Sequence, residues 1–208
     1  MCSVVGYVGQ GSSRKQVLEG LRRLEYRGYD SAGFACFDAH NGSIVVAKAV
    51  GALDNLVYAL EQSPIDHSTG IGHTRWATHG PATHTNAHPH SSGGAIALVH
   101  NGIIENYQEI KQELQRESVV FISDTDTEVI AHLFARNLAL YDPRQALLKT
   151  VQRLHGAYAF VAISPQYPSL LFAARKSSPL CIGRTLDSHW IASDVLAFTG
   201  AAKEVLFM

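Results

Sequence analysis

The order of secondary-structure signals along the chain is the strongest constraint on its fold. Strand-like runs come first, helical patterns gather in the middle and short strand runs return at the end, without regular βαβα alternation. That order counts against a Rossmann-type parallel sheet and predicts an α+β architecture, two largely antiparallel sheets covered by helices. The opening run, Cys2 to Val8, is rich in β-branched residues. Ser12-Ser13 then offers a helix cap, and Val17, Leu18, Leu21 and Leu24 recur at helical spacing. A loop is expected over residues 27–31, strands over 32–37 and 43–48 around the turn His40-Asn41-Gly42, a helix over 54–61 and a strand over 69–74. The polar, histidine-laden stretch 75–94 reads as a loop too long for an ordinary connection, hence functional or disordered. AIALVH (95–100) reads as a buried strand that stops at the turn-former Asn101-Gly102. Helices follow around Tyr107, Ile110 and Leu114, over 127–140 and over 143–154. The last third carries the short strands AYAFVAI, SLLFAAR, PLCIG, HWIAS and KEVLF, with one helical piece at 194–198. No linker or repeat divides residues 2–208, so one domain is expected, and its stop at VLFM suggests a piece of something longer.

Charge and cysteine usage narrow the partners. The 208 residues hold 17 Lys and Arg against 18 Asp and Glu, a net charge of -1. No nucleic-acid partner or anionic membrane is drawn by that balance. No apolar run approaches the ~20 residues of a membrane helix, and the first ten residues lack a signal peptide's basic and apolar regions. Cys2, Cys36 and Cys181 are an odd, scattered set, which points to reduced thiols and a cytoplasmic setting. Cys36 and Cys181 read as packed core thiols.

Cys2 raises a sharper possibility. Alone, it reads as the opening of a buried strand. Once Met1 is trimmed, however, it carries both a thiol and a free α-amine whose unperturbed pKa is ~7.7–8.0, so nucleophile and base share one residue. Four stretches at strand ends are unusually polar: YRGYDSAG (26–33), HTRWATHG (73–80), HNGIIEN (100–106) and SDTDTE (123–128). Each has an ordinary explanation: a solvated Arg, an Asn-Gly turn, or a helix N-cap with acids near the dipole's positive end. Together they supply what Cys2 needs. Attack on an amide creates an oxyanion, and Asn101 and Gly102 offer a side-chain and a backbone donor. Arg75 can hold a carboxylate bidentately and Asp126 can pair with an ammonium, so the set asks for an amino-acid amide.

At these motifs, with Cys2, LEYRGYDSAG, NAHPH, LHGAY (154–158), SPL (178–180) and IASD (191–194), the chain resembles the glutaminase domains of the glucosamine-6-phosphate synthases. Those are class II glutamine amidotransferases, a branch of the N-terminal nucleophile hydrolases, and the resemblance runs from Cys2 to the end. Amidophosphoribosyltransferase relatives would be expected to show RGQDSAG and TRYST instead. The resemblance implies a four-layer αββα sandwich, with Cys2 as nucleophile and its α-amine as proton acceptor. It further implies L-glutamine as substrate, Asn101 and Gly102 as the oxyanion hole, and Arg75 and Asp126 on the substrate's α-groups. Trp76, Thr78 and His79 would shape or cover the pocket, and Arg27 would brace the site near Cys2. No cofactor and no metal are implied. The partner would be a C-terminal sugar isomerase domain, absent here, with fructose-6-phosphate as ammonia acceptor in a homodimeric full-length enzyme.

Two departures bear on this reading. Family members usually begin Cys-Gly-Ile where this chain has Cys2-Ser3-Val4, so a Cβ stands next to the nucleophile, with tolerance expected. Retained Met1 would acylate the required amine, and that form is expected to be inactive. Three rivals are weaker. A metal site among the 11 histidines lacks an acid or cysteine at recognisable spacing. An N-terminal-cysteine hydrolase of apolar amides leaves Arg75 and Asp126 without a purpose. A silent amino-acid-binding regulatory module rests only on Ser3 and Met1.

Overall fold

The computed structural model describes residues 2–76 and 80–208. In chain order the elements are β1 (Ser3–Gly9), α1 (Ser13–Arg23), β2 (Ser31–Phe37), β3 (Ile44–Val50), α2 (Leu53–Gln62), β4 (Thr69–Arg75), β5 (His90–Ser92) and β6 (Ile96–Ile104). They continue with α3 (Tyr107–Arg116), α4 (Glu128–Leu138), α5 (Pro143–Val151), β7 (Gly156–Ile163), β8 (Phe172–Lys176), β9 (Cys181–Arg184), β10 (Ser188–Ala192) and β11 (Glu204–Phe207). Short 3-10 turns occupy Glu25–Arg27 and Val195–Phe198. Helix starts follow local chemistry. The Ser12 hydroxyl accepts the Lys15 N–H at 2.9 Å, and the Asp142 carboxylate accepts the Gln145 N–H at 3.0 Å ahead of Pro143.

The strands form two sheets, one of seven in the order β11-β9-β10-β1-β4-β2-β3 and one of four in the order β5-β6-β7-β8. Their pairings are antiparallel. The period-two alternation of side chains divides the apolar residues into three buried clusters. Val5, Tyr7, Phe34 and Cys36 face α1 and α2 with Val17, Leu21, Leu56 and Leu60. Leu98, Phe160 and Ala162 face α3, α4 and α5 with Ile110, Leu133 and Phe134. Their strand neighbours Val4, Ala35, Phe37, Ile71, Ala97, Val99, Ala159 and Val161 meet between the sheets. The result is a four-layer αββα sandwich.

The predicted loop over 75–94 contains a strand, β5, held by pairing His90 with Leu98. A second correction matters more. Asn101-Gly102 does not end its strand: β6 runs on to Ile104, because its ladder with β7 continues through Asn101–Ala159 and Gly102–Tyr158. Asx-Gly chemistry favours a turn, but pairing along the full length of β7 overrides it. SLLFAAR pairs only from Phe172 onward.

α1 lies close against β4 because β4 presents Gly72 to it: a Cβ there would stand 2.5 Å from Val17 Cγ1 and 2.9 Å from Leu21 Cδ1. Gly72→Ala is therefore expected to destabilise the domain by ~1–3 kcal/mol through overpacking. Urea unfolding measures this; an unchanged midpoint would show that α1 is not pinned at this point.

Candidate active site

The same alternation that fills the inter-sheet core also builds a polar site at one end of it. Following Val4 back gives Cys2, following Ile71 along β4 gives His73 and Arg75, and following Val99 along β6 gives Asn101. Ser3 pairs with Thr74, so the next residues outward, Cys2 and Arg75, leave the sheet side by side. The Trp76 N–H donates to Cys2 Sγ at 3.2 Å, and the thiol donates to the Trp76 carbonyl at 3.4 Å. The thiol is thus held before any ligand arrives. Partial burial raises its pKa, while the backbone N–H of Trp76 and the charge of Arg75 oppose the rise. The Trp76 ring packs edge-on against Tyr29 at 5.5 Å.

Asn101 donates from Nδ2 to the Cys2 carbonyl at 3.0 Å. Gly102 has φ +129°, and a Cβ there would lie 2.0 Å from the Ala157 carbonyl oxygen, so only glycine fits. Arg75, 4% exposed, donates to the carbonyls of Gly80 and Pro81 at 3.1 Å each. Asp126 does not cap a helix; its Oδ2 accepts the Ile104 N–H at 2.7 Å. Cys2, Arg75, Trp76, His100, Gly102 and Asp126 line one cavity of about 30 Å³. A cation and an anion thus face the thiol across a space the size of a water or two.

Arg27 lies elsewhere. Its guanidinium meets Asp194 at 3.2 Å and the Ser193 carbonyl at 3.4 Å. The Ser193 hydroxyl in turn accepts the Val4 N–H at 3.2 Å, so Arg27 acts on β1 and does not line the cavity. Thr78 and His79 lie outside the described residues, as does Met1. Ser3 points away from the cavity, its hydroxyl donating to the Leu24 carbonyl at 3.1 Å at the end of α1.

Several residues that shape the site were not singled out from sequence, although they stand within its motifs. Asn86 ties the segment after Gly80 to the segment before Asp126. Its Nδ2 donates to the Pro81 carbonyl and to Asp124 Oδ2, and its Oδ1 accepts the Asp124 N–H. Glu128 gathers the same segment with one carboxylate, accepting the Ile122 N–H at 2.9 Å, the Ser123 N–H at 2.7 Å and the Ser123 hydroxyl at 2.6 Å. Burial alone would raise its pKa, but these bonds and His132 outweigh it and hold the group at about 2. Four histidines, His73, His88, His90 and His100, are buried beside Asn101 and Asp126. His73 stacks on His88 with centroids 4.0 Å apart, and His88 meets His90 edge-on at 4.8 Å. Desolvation depresses all four, His73 and His90 to about 3 and His100 to about 4, with His88 well below its ordinary value. Among the described residues, no group of three His, Cys, Asp or Glu side chains is arranged to hold a metal ion.

Residues 73–200 match the family described as glutamine amidotransferase domain. The chain belongs to the glutamine amidotransferase family. It is similar over its whole length to proteins named glutamine–fructose-6-phosphate aminotransferase (isomerizing). Identity is 48% for that of Aquifex aeolicus, 47% for that of Pyrococcus horikoshii and 46% for that of Escherichia coli K12. The chain spans about a third of the length of these relatives, 35%, 35% and 34% in turn. Among solved structures, the glutamine phosphoribosylpyrophosphate amidotransferase of B. subtilis matches at TM-score 0.82 and 28% identity, covering 100% of this chain and 44% of that one. A glutamine aminotransferase class-II domain protein from Silicibacter pomeroyi shares the fold at TM-score 0.60 and 16% identity, covering 93% of this chain and 86% of that one. Among the described residues, no helix is long and apolar enough to cross a membrane.

The buried imidazoles make the fold acid-sensitive. The unfolded chain takes up protons near pH ~6.5, whereas the folded chain resists until about 3–4 at His73, His90 and His100. Stability is therefore whole above pH ~6.5 and falls below it, by roughly 1.4 kcal/mol per pH unit for each such histidine. Acid unfolding followed by circular dichroism is expected to be steep between pH 6 and 4, and to flatten in His90→Gln. A transition confined below pH 3 would contradict the neutral cluster.

Proposed function

We propose that this chain, with Met1 removed, hydrolyses the side-chain amide of L-glutamine. The observation that carries the reading is the cavity in which the Cys2 thiol faces a cation, Arg75, and an anion, Asp126. Glutamine carries an α-carboxylate for the first and an α-ammonium for the second, with its amide left to reach the thiol. An apolar amide would leave both charges unused. Because the cavity is no larger than a water or two, an amino acid enters only as its outer wall at Trp76 yields.

The chemistry follows from the placement. The Cys2 thiol passes its proton to the α-amine of the same residue, directly or through a water, and the thiolate attacks the amide carbon. The carbonyl oxygen becomes an oxyanion, stabilised by the Gly102 N–H and by the Asn101 amide already beside Cys2. Collapse breaks the C–N bond, the departing nitrogen takes the proton back from the ammonium, and ammonia leaves a γ-glutamyl thioester. Water, deprotonated by the amine, attacks the thioester and releases glutamate and the free thiol. Ser3 is compatible with this, since its hydroxyl is turned toward α1.

Identity with aminotransferases that act on fructose-6-phosphate supports a further step: the ammonia would serve conversion of fructose-6-phosphate to glucosamine-6-phosphate in a C-terminal isomerase domain. Homodimerisation of such a full-length enzyme and a cytoplasmic location belong to the same proposal.

Intact-mass analysis after incubation with a glutamine analogue bearing an electrophile at the amide position tests the reading. One adduct on Cys2, suppressed by glutamine, is expected in trimmed protein. Arg75→Lys and Asp126→Asn should each slow labelling by ~10-fold or more at subsaturating analogue, through loss of a charge-assisted contact. An adduct on Cys36 or Cys181 instead, or none, would sink the proposal.

A further inference from the structure

His73 belongs to the buried core of the site yet lies outside the residues that line its cavity. Its Nε2 stands 3.0 Å from the His100 carbonyl oxygen and 3.0 Å from Asn101 Oδ1. A carbonyl oxygen can only accept, so Nε2 must carry the proton and share it between the two oxygens. The Asn101 atom that meets this N–H must then be its oxygen. The Asn101 nitrogen is consequently turned the other way, where it donates to the Cys2 carbonyl at 3.0 Å. A half-turn of the amide would set its oxygen against the Cys2 carbonyl oxygen and its NH₂ against the His73 N–H, so the two contacts together hold the amide with a donor where one is needed, and loss of His73 removes one of them.

We infer that His73 is a positioning residue that fixes the orientation of the Asn101 amide, and so keeps its N–H beside the nucleophile. The claim rests on the glutaminase reading and deepens it. His73 is itself fixed in orientation. Its ring stacks on His88 at 4.0 Å, whose Nδ1 accepts the His100 N–H at 3.3 Å. His88 must therefore carry its proton on Nε2, which donates to the Thr127 hydroxyl at 3.3 Å. That hydroxyl also meets His100 Nδ1 at 2.9 Å, where either group can donate. These contacts require a proton on Nε2 of His73 and, for a neutral ring, on Nε2 of His88. Strand β4 thus reaches Asn101 on β6 through His73, whose proton position and ring orientation are both set by its neighbours.

The test uses the 208-residue chain with Met1 removed. Losing one oxyanion donor typically costs ~10²–10³ in kcat, so His73→Phe is expected to lower kcat for glutamine hydrolysis by ~10²-fold and leave KM within about threefold. His73→Gln places an amide N–H near the position of Nε2 and should recover most of the loss, whereas His73→Asn is too short and should not. Alkylation of Cys2 by iodoacetamide forms no oxyanion and should proceed at the wild-type rate in all three. In an Asn101→Ala background, His73→Phe should cost nothing more. Additive losses, no rescue by Gln over Asn, or alkylation falling in step with kcat would overturn the inference. If His73→Phe fails to fold, the comparison of Gln with Asn decides. A readout without turnover separates this claim from the functional one: the Asn101 side-chain NH₂ signals in 15N spectra should be exchange-protected in wild type and His73→Gln but not in His73→Asn. Protection without any glutamine hydrolysis would sink the glutaminase reading and leave the positioning claim standing, while equal protection in Gln and Asn variants would sink the positioning claim alone.

Discussion

Everything at the site depends on β1 lying in the middle of the seven-stranded sheet. It is paired with β4 along one edge and β10 along the other. The first residues of a chain are ordinarily the easiest to fray, but here both edges are occupied, and Ser193 accepts from Val4 while its own N–H donates to the Val4 carbonyl. The strand that closes β1 comes from the far end of the chain, residues 188–192. A thiol at position 2 is thereby anchored one residue from a strand paired on both edges, and by the Trp76 backbone. An α-amine on the same residue would be placed with it, as the proposed use of one residue for nucleophile and base requires.

The second requirement is a polar pocket within an apolar sandwich. Buried polar groups are tolerated when every donor finds an acceptor, and costly otherwise. The site largely meets this by concentrating neutral hydrogen-bonding groups, His73, His88, Asn101 and Thr127, around one cation and one anion, with His100 Nε2 left without a partner among the described residues. Neutrality matters because four imidazolium ions at this depth would repel one another and Arg75. It also orders the protons, so geometry and acid sensitivity share one cause. Glu128 plays the complementary part: its charge is fully enclosed by donors, and those bonds shape the loop that carries Asp126.

Much of this was legible before any coordinates. Block order and periodicity give the two sheets and the helical layers, and the motifs bring Cys2, Arg75, Asn101, Gly102 and Asp126 into one account. Three things were not legible, for physical reasons. Asn101-Gly102 carries a strong local turn signal, and only the unseen partner β7 keeps the strand going. β5 is three residues long and too short for its alternation to show against the polar stretch around it. The roles of His73, His88, Asn86 and Glu128 reside in contacts between segments far apart in sequence, which no spacing rule encodes. Arg27, expected to brace the site near Cys2, reaches β1 only indirectly, through Ser193 and Asp194, a route its motif does not reveal.

The central claim is that one residue, Cys2, supplies both nucleophile and base once the chain begins there. The most direct measurement compares ammonia release from glutamine by two preparations of equal fold, one beginning at Cys2 and one retaining Met1. The account predicts turnover in the first and a rate lower by ~10²-fold or more in the second, the usual range for removing a general base. Equal rates would show that the α-amine takes no part, and that the proton acceptor lies elsewhere in the site.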